Sequence, residues 1–290
     1  MTGSAVPRRM LGRELKKLRE GSGVTVPVAA RAIEVSPQTL WRMESGQDGP
    51  KLKELYVKIL CEMYGASEEV TEALAALVGE TKKPGWWHSF AEVVPDHFDL
   101  FIGLEEAAAR VATFQLAVLP GLLQTPEYRQ AVMWVEFPGK SPEDLERYLD
   151  ILQRRQMRLR GNGFELRALL CESILRRPMG GPAVMTDQVL HLYAMSSLPN
   201  VAIQIVPDRV GGHQGLLTGS FVMMDFPEHS TARLTEPPVV YMQGYTGALY
   251  LDQAVEVEQF RYATKEIQRV ALDVDASRQL LLTISREYQA

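Results

Sequence analysis

The sequence predicts an α+β protein in two parts: an N-terminal all-α helical domain, then a larger α+β domain with a roughly five-stranded sheet. Two observations carry this. Apolar residues recur at helical spacing through the first 65 residues, and beyond residue 160 five short segments switch to strand-like alternation before the chain turns helical again. At 290 residues and 46% apolar content, each part holds enough for its own core, which excludes a mostly disordered chain.

The elements follow in order. Leu11, Leu15 and Leu18 mark a first helix, which Gly21-Ser22-Gly23 ends. Thr25 is placed to cap a second, short helix reaching about Ile33. A tight Glu34-Val35 connection leads to Ser36, which caps a third helix with Pro37 in its first turn, where a missing N–H costs least. Leu40 and Met43 share its inward face. Gly46 and a polar turn, Gln47-Asp48-Gly49-Pro50, close it. Leu52, Leu55, Ile59, Leu60 and Met63 form the expected stripe of a fourth helix ending at Gly65. These boundaries give a head over residues 1–65, a helix and linker over 66–85, and a body over 86–290. In the body, Trp86-Trp87 is expected to pin the start of the second domain. Leu104, Ala107, Ala108, Val111 and Ala112 read as one helical stripe, and further helices start at Thr125-Pro126 and Pro142, the latter with Leu145, Leu149 and Leu152 inward. Strands are expected at 165–171, 201–206, 220–225, 239–243 and 248–251, and two helices close the chain.

Short helix, tight turn and short capped helix make a helix-turn-helix. The stretch Val24 to Gln47 resembles the Cro/repressor type, the XRE family, in Ala30, Val35-Ser36, Leu40, Met43-Glu44 and Gly46. It departs from that family at Val26, where a glutamine is usual, at Glu34, where a glycine is usual, and at Trp41, where a small polar residue is usual. Trp41 is expected to pack on the second helix. The resemblance also implies that Arg19 and Glu44 form a structural ion pair.

Charge fits a DNA-binding head. Residues 1–60 hold eleven Lys or Arg against six Asp or Glu, a net +5, whereas the rest holds 20 against 30, a net −10. Gln38, Thr39 and Arg42 lie opposite Leu40 and Met43, where a helix in the major groove reads base edges: Gln pairs with adenine and Arg with guanine. Arg8, Arg9, Arg13, Lys51 and Lys53, with the helix starts at Thr25 and Ser36, are expected at phosphates.

The body resembles a second domain. The blocks Ile102 to Val111, Leu119 to Val132, Arg154-Arg155-Gln156, Glu172 to Met185, Leu198 to Pro207 and Val240 to Leu251 are similar to the large uncharacterised domain behind the XRE head in actinobacterial regulators, often labelled antitoxin-like. That resemblance covers about residues 86–289. It implies a regulator acting with a small companion protein encoded nearby, and it carries over no catalytic residue.

No catalytic constellation appears. None of the five histidines stands in an HxxxH or HExxH arrangement, and no GxSxG, GxxxxGK[ST] or GxGxxG motif is present. Cys61 and Cys171 lack metal or disulfide spacing. No enzyme activity, metal or cofactor is therefore expected. No apolar run has the length of a membrane span and the first residues lack a signal-peptide core, so a cytoplasmic protein without membrane contact is expected. The reading is a sequence-specific transcriptional regulator, a repressor bound to a double-stranded operator as a homodimer, whose body receives a partner or signal. Two alternatives remain: an antitoxin-like protein-binding adaptor with secondary DNA binding, and a regulator sensing a small-molecule effector through residues such as Met223, Met224, Tyr241 and Tyr245.

Overall fold

The computed structural model describes residues 5–47, 49–82, 85–90 and 96–290. Asp48 of the polar turn and Lys83-Pro84 of the expected linker lie outside these. The architecture is α+β, with a helical head and a mixed six-stranded sheet. One compact unit contains Met1–Ala91, Phe98–Ala107 and Phe226–Glu236; the other contains Glu92–His97, Ala108–Asp225 and Pro237–Ala290. The head is thus discontinuous in sequence and extends past the boundary expected at residue 65.

The first unit begins with α1 (Ala5–Ser22), α2 (Val26–Ala32), α3 (Pro37–Glu44), α4 (Glu54–Tyr64) and α5 (Glu68–Glu80). Leu11, Leu15, Leu40, Leu60 and Leu74 are fully buried and join α1, α3, α4 and α5 in one core. This assigns the helix after residue 66 to the head. The α4 stripe differs from the expected one. Val57, Leu60, Cys61 and Tyr64 face inward, while Leu55 and Met63 are exposed. The inward set repeats at i, i+3, i+4 and i+7, so the helix phase is set by its own turn periodicity and not by Leu52, which precedes it. A 3₁₀ turn over Trp86–Phe90 and α6 (Asp96–Ala107) follow. Trp87 is buried against Gly103 of α6, where a Cβ would stand 3.2 Å from its ring and 3.0 Å from the Ala5 methyl. The tryptophan pair therefore belongs to the head and does not open the second unit.

The second unit contains β1 (Arg110–Gln115), α7 (Pro126–Glu136), α8 (Pro142–Gln156), β2 (Glu165–Cys171), α9 (Glu172–Arg176), α10 (Pro182–Met195), β3 (Val201–Val206), α11 (Gly215–Thr218), β4 (Phe221–Asp225), β5 (Val239–Gln243), β6 (Ala248–Leu251), α12 (Ala254–Val270) and α13 (Val274–Gln289). The strand order is β3-β2-β1-β4-β5-β6. The β1–β2 and β2–β3 pairs are parallel, and the other three pairs are antiparallel. Parallel neighbours need long crossovers, which α7 with α8 and α9 with α10 supply; the β4–β5–β6 half is joined by loops.

Two expectations change. Residues 110–115 are a central strand, not the end of a helix: Val111, Thr113 and Phe114 are β-formers, and α6 stops at Ala107. The sheet accordingly gains a sixth strand. In α8, Tyr148 and Ile151 take inward places with Leu145 and Leu152, and Leu149 is only half-buried. Phe114 pairs with Leu169 on one side and Phe221 on the other, and these three pack with Val206, Met223, Val240, Val257 and Ile267 in the core under α12. Met223, Met224 and Tyr241 are buried, and Tyr245 is fully exposed. The β3 edge is closed, because Leu272 N–H donates to the Ile205 carbonyl and Ile205 N–H to the Ser277 hydroxyl.

Candidate nucleic-acid interface

The turn between α2 and α3 places the third helix. Glu34 takes φ 53°, the only positive φ of a non-glycine residue among the described residues. This is the position where the resembled family has glycine. A side chain there costs about 1–2 kcal/mol in the left-handed region. Glu34→Gly is therefore expected to raise the stability of the head by about 0.5–1 kcal/mol after glycine's own entropy cost. The midpoint of urea unfolding checks this, and a lower midpoint would contradict it.

Ser36 caps α3, its hydroxyl oxygen accepting from Thr39 N–H at 3.0 Å and lying 2.8 Å from the Thr39 hydroxyl. Thr39 is half-buried on the flank, tied to the cap. Thr25 sits at the start of α2, but its side chain makes no capping bond and is exposed.

On α3, Leu40, Met43 and Glu44 are buried. Gln38, Trp41, Arg42 and Ser45 are exposed on the opposite arc. Trp41 is 53% exposed, so the expectation that it packs on α2 is wrong. Helical spacing already pointed there: Trp41 lies three residues after Gln38 and one before Arg42, in the middle of the outward face. The Arg42 guanidinium reaches the loop after α3, where a Cβ on Gly49 would stand 2.7 Å from Nη2; Gly49 also holds φ 103°. Lys51 and Lys53 are exposed on the same loop, with the Lys53 ammonium 4.8 Å from the Tyr56 ring centre.

Arg19 and Glu44 fix α3 to α1. Arg19 Nε donates to Glu44 Oε1 at 2.7 Å, Nη2 to Oε2 at 3.0 Å, and Nη1 to the Val24 carbonyl at 3.3 Å. Their side chains are 11% and 3% exposed. The hydrogen bond and charge of Glu44 hold the Arg19 guanidinium further into its protonated form, against desolvation. Burial, with the Glu44 charge nearby, pushes the Tyr64 phenol well above its usual range. Gly12 completes this crossing: a Cβ there would collide with the Met43 and Glu44 carbonyl oxygens.

The three arginines of α1 expected at phosphates are engaged elsewhere. Arg8 is buried, with Nη1 3.4 Å from the Pro50 carbonyl. Arg9 Nε and Arg13 Nη1 donate to the two oxygens of Glu236 at 2.7 and 2.6 Å, and Arg13 Nη2 donates to the Thr235 carbonyl at 3.1 Å. In return, Arg233 Nε donates to buried Glu14 of α1 at 2.9 Å. The Glu236 side chain is 1% exposed, and a carboxylate so buried requires counter-charges at hand. Segment Phe226–Glu236 thus clasps α1 by reciprocal ion pairs.

Elsewhere the polar motifs are held by local hydrogen bonds and ion pairs. Pro120 to Thr125 is held by Gln124 Nε2 on the Leu119 carbonyl, by Gln188 bridging Leu123 and Thr125, and by Gln156 Nε2 on the Gly121 and Gln124 carbonyls. Glu172 pairs with Arg176 at 2.7 Å. Burial raises both cysteine thiols, Cys171 to about 11. Among the described residues, no group of three or more His, Cys, Asp or Glu side chains can hold a metal, and no helix is long and apolar enough to cross a membrane.

Residues 10–74 match the family described as Helix-turn-helix domain, which spans α1 to α5. Residues 98–283, more than half of the chain, match Domain of unknown function (DUF5753). The chain belongs to the DUF5753 family. No curated protein and no solved structure matches this DUF5753 protein. Its helix-turn-helix match is that of a DNA-binding regulator, with Ser36, the outward arc of α3 and the Arg19–Glu44 pair all inside the matched residues.

Proposed function

We propose that this protein is a sequence-specific transcriptional repressor that works in the cytoplasm as a homodimer on a two-part operator. The observation that carries this reading is the split of α3, with Leu40, Met43 and Glu44 buried and Gln38, Trp41 and Arg42 facing out. In the major groove, Gln38 reads adenine, Arg42 reads guanine, and Trp41 offers an apolar face to a thymine methyl or the sugar edge. Lys51, Lys53, the Thr25 hydroxyl and the start of α3 at Ser36 take phosphates. The DUF5753 domain supplies the dimer contacts and receives a companion protein or small effector, whose occupancy shifts DNA affinity by linkage. The reading assigns no catalysis to the chain. Its thiols are buried and held protonated, which fits a role without nucleophilic chemistry.

A mobility-shift assay with genomic fragments around the protein's own gene tests this. A retarded fragment that survives excess random duplex at moderate salt is expected. Retardation that random duplex abolishes in every fragment, or none even at low salt, would remove the sequence-specific reading.

A further inference from the structure

The outer face of α12 is not accounted for by the fold. This helix turns Val257, Ala263, Thr264 and Ile267 into the core. Its opposite side presents Val255, 71% exposed, and Tyr262, 59% exposed, on one line. Leu216 and Leu217 of neighbouring α11 are exposed as well. A groove of ≈ 740 Å³ runs beside α12, lined by Gln214 and Thr218 at the two ends of α11 and by Val255, Glu258, Gln259 and Tyr262 of α12. Val255 and Tyr262 at this groove leave apolar surface that a partner can cover.

The charges around Tyr262 indicate the occupant. At 1.5 Å and 100° per residue, Glu258 lies about 6 Å before Tyr262 and about 40° to one flank, and Lys265 lies about 4.5 Å after it and about 60° to the same flank. Both side chains are exposed. A two-fold axis crossing the helix at Tyr262 reverses direction and keeps the flank. It sets Glu258 of each copy beside Lys265 of the other, and it does so twice. The same operation places Tyr262 on Tyr262, the Arg269 stem across Val255, and Gln259 beside Glu266. The pattern is its own complement, which is the requirement for an isologous contact. Within its own helix Glu258 already faces Arg261 at 3.3 Å, a water-exposed pair that holds it only weakly.

We propose that this face of α12, with the groove beside α11, seats a second copy of the same chain in antiparallel two-fold pairing. The proposal deepens the regulator reading above, which needs two heads on two half-sites. The surface itself is argued from α12 alone.

Sedimentation of the full-length protein without DNA tests it. The unaltered protein is expected to dimerise at micromolar concentration. Glu258→Lys and Lys265→Glu each place like charges at both contacts and are expected to weaken the dimer by roughly tenfold or more. Mixing the two single variants is expected to restore dimerisation, because each offers the charge that the other lacks, and the double variant is expected to pair with itself. Circular dichroism melting of each variant confirms that it is folded, as expected for exposed positions. A monomeric unaltered protein at tens of micromolar would overturn the proposal. So would single variants that dimerise as tightly as the parent, or a mixture that stays monomeric. The measurement needs no operator, so its result stands whether or not the head binds a specific sequence.

Discussion

Glu44→Ala is expected to lower the stability of the head by about 3–5 kcal/mol, the usual cost of removing one partner from a buried ion pair. Glu44 is 3% exposed and accepts two bonds from Arg19, itself 11% exposed. Without the carboxylate, the guanidinium stays largely out of water, with the Val24 carbonyl at 3.3 Å and the more exposed Glu20 carboxylate at 3.7 Å. Because Glu44 is the last residue of α3, the loss also loosens the helix that carries Gln38 and Arg42. Chemical unfolding followed by tryptophan fluorescence reports mainly on the head, which contains three of the four tryptophans, Trp41, Trp86 and Trp87. Replacing both partners by apolar residues of similar volume, Arg19→Met with Glu44→Leu, is expected to recover most of the loss, since the desolvated charge is then gone. A loss below about 1 kcal/mol for Glu44→Ala would place the pair among surface ion pairs and contradict its burial.

Arg42→Ala is expected to cut discrimination between operator and random duplex by about 1–3 kcal/mol, or roughly 10- to 100-fold, with little change in affinity for random DNA. The Arg42 guanidinium rests against Gly49, so the arginine is held by the loop after α3 and reaches a base with less loss of side-chain freedom. Lys51→Ala is expected to weaken operator and random duplex alike and to lower the salt slope of binding by about 1. Titrations of both variants on both duplexes at several salt concentrations separate the two patterns. If both substitutions cost the same on both duplexes, Arg42 is not reading a base.

The local grammar of the head was legible in the sequence. Ser36 before Pro37, the inward pair Leu40 and Met43, and the resemblance-based pairing of Arg19 with Glu44 needed only residues within one motif. Errors arose where a neighbouring pattern stayed compatible with two structures. Leu104 to Ala112 continues at helical spacing with no glycine or proline to interrupt it, so the end of α6 at Ala107 carried no punctuation. The signal for β1 was the run of β-formers Val111, Thr113 and Phe114, short enough to pass as helix. In α4, Leu55 is as apolar as Val57, and only the choice of phase decides which one is buried. The clasp on α1 was beyond reach for another reason: Arg9 and Glu236 are 227 residues apart, and no periodicity links them.

That clasp sets an order of events at the ribosome. Once residue 80 has emerged, α1 to α5 are all in hand, yet the carboxylate of Glu14 still lacks Arg233, and Arg9 and Arg13 still lack Glu236. Glu14 has Lys17 of its own helix beside it but not Arg233, and Arg13 stays open to any passing polyanion, until most of the polypeptide has been translated. The nascent head is thus a stickier and looser object than the finished one, and its maturation is timed by the completion of a distant hairpin connection.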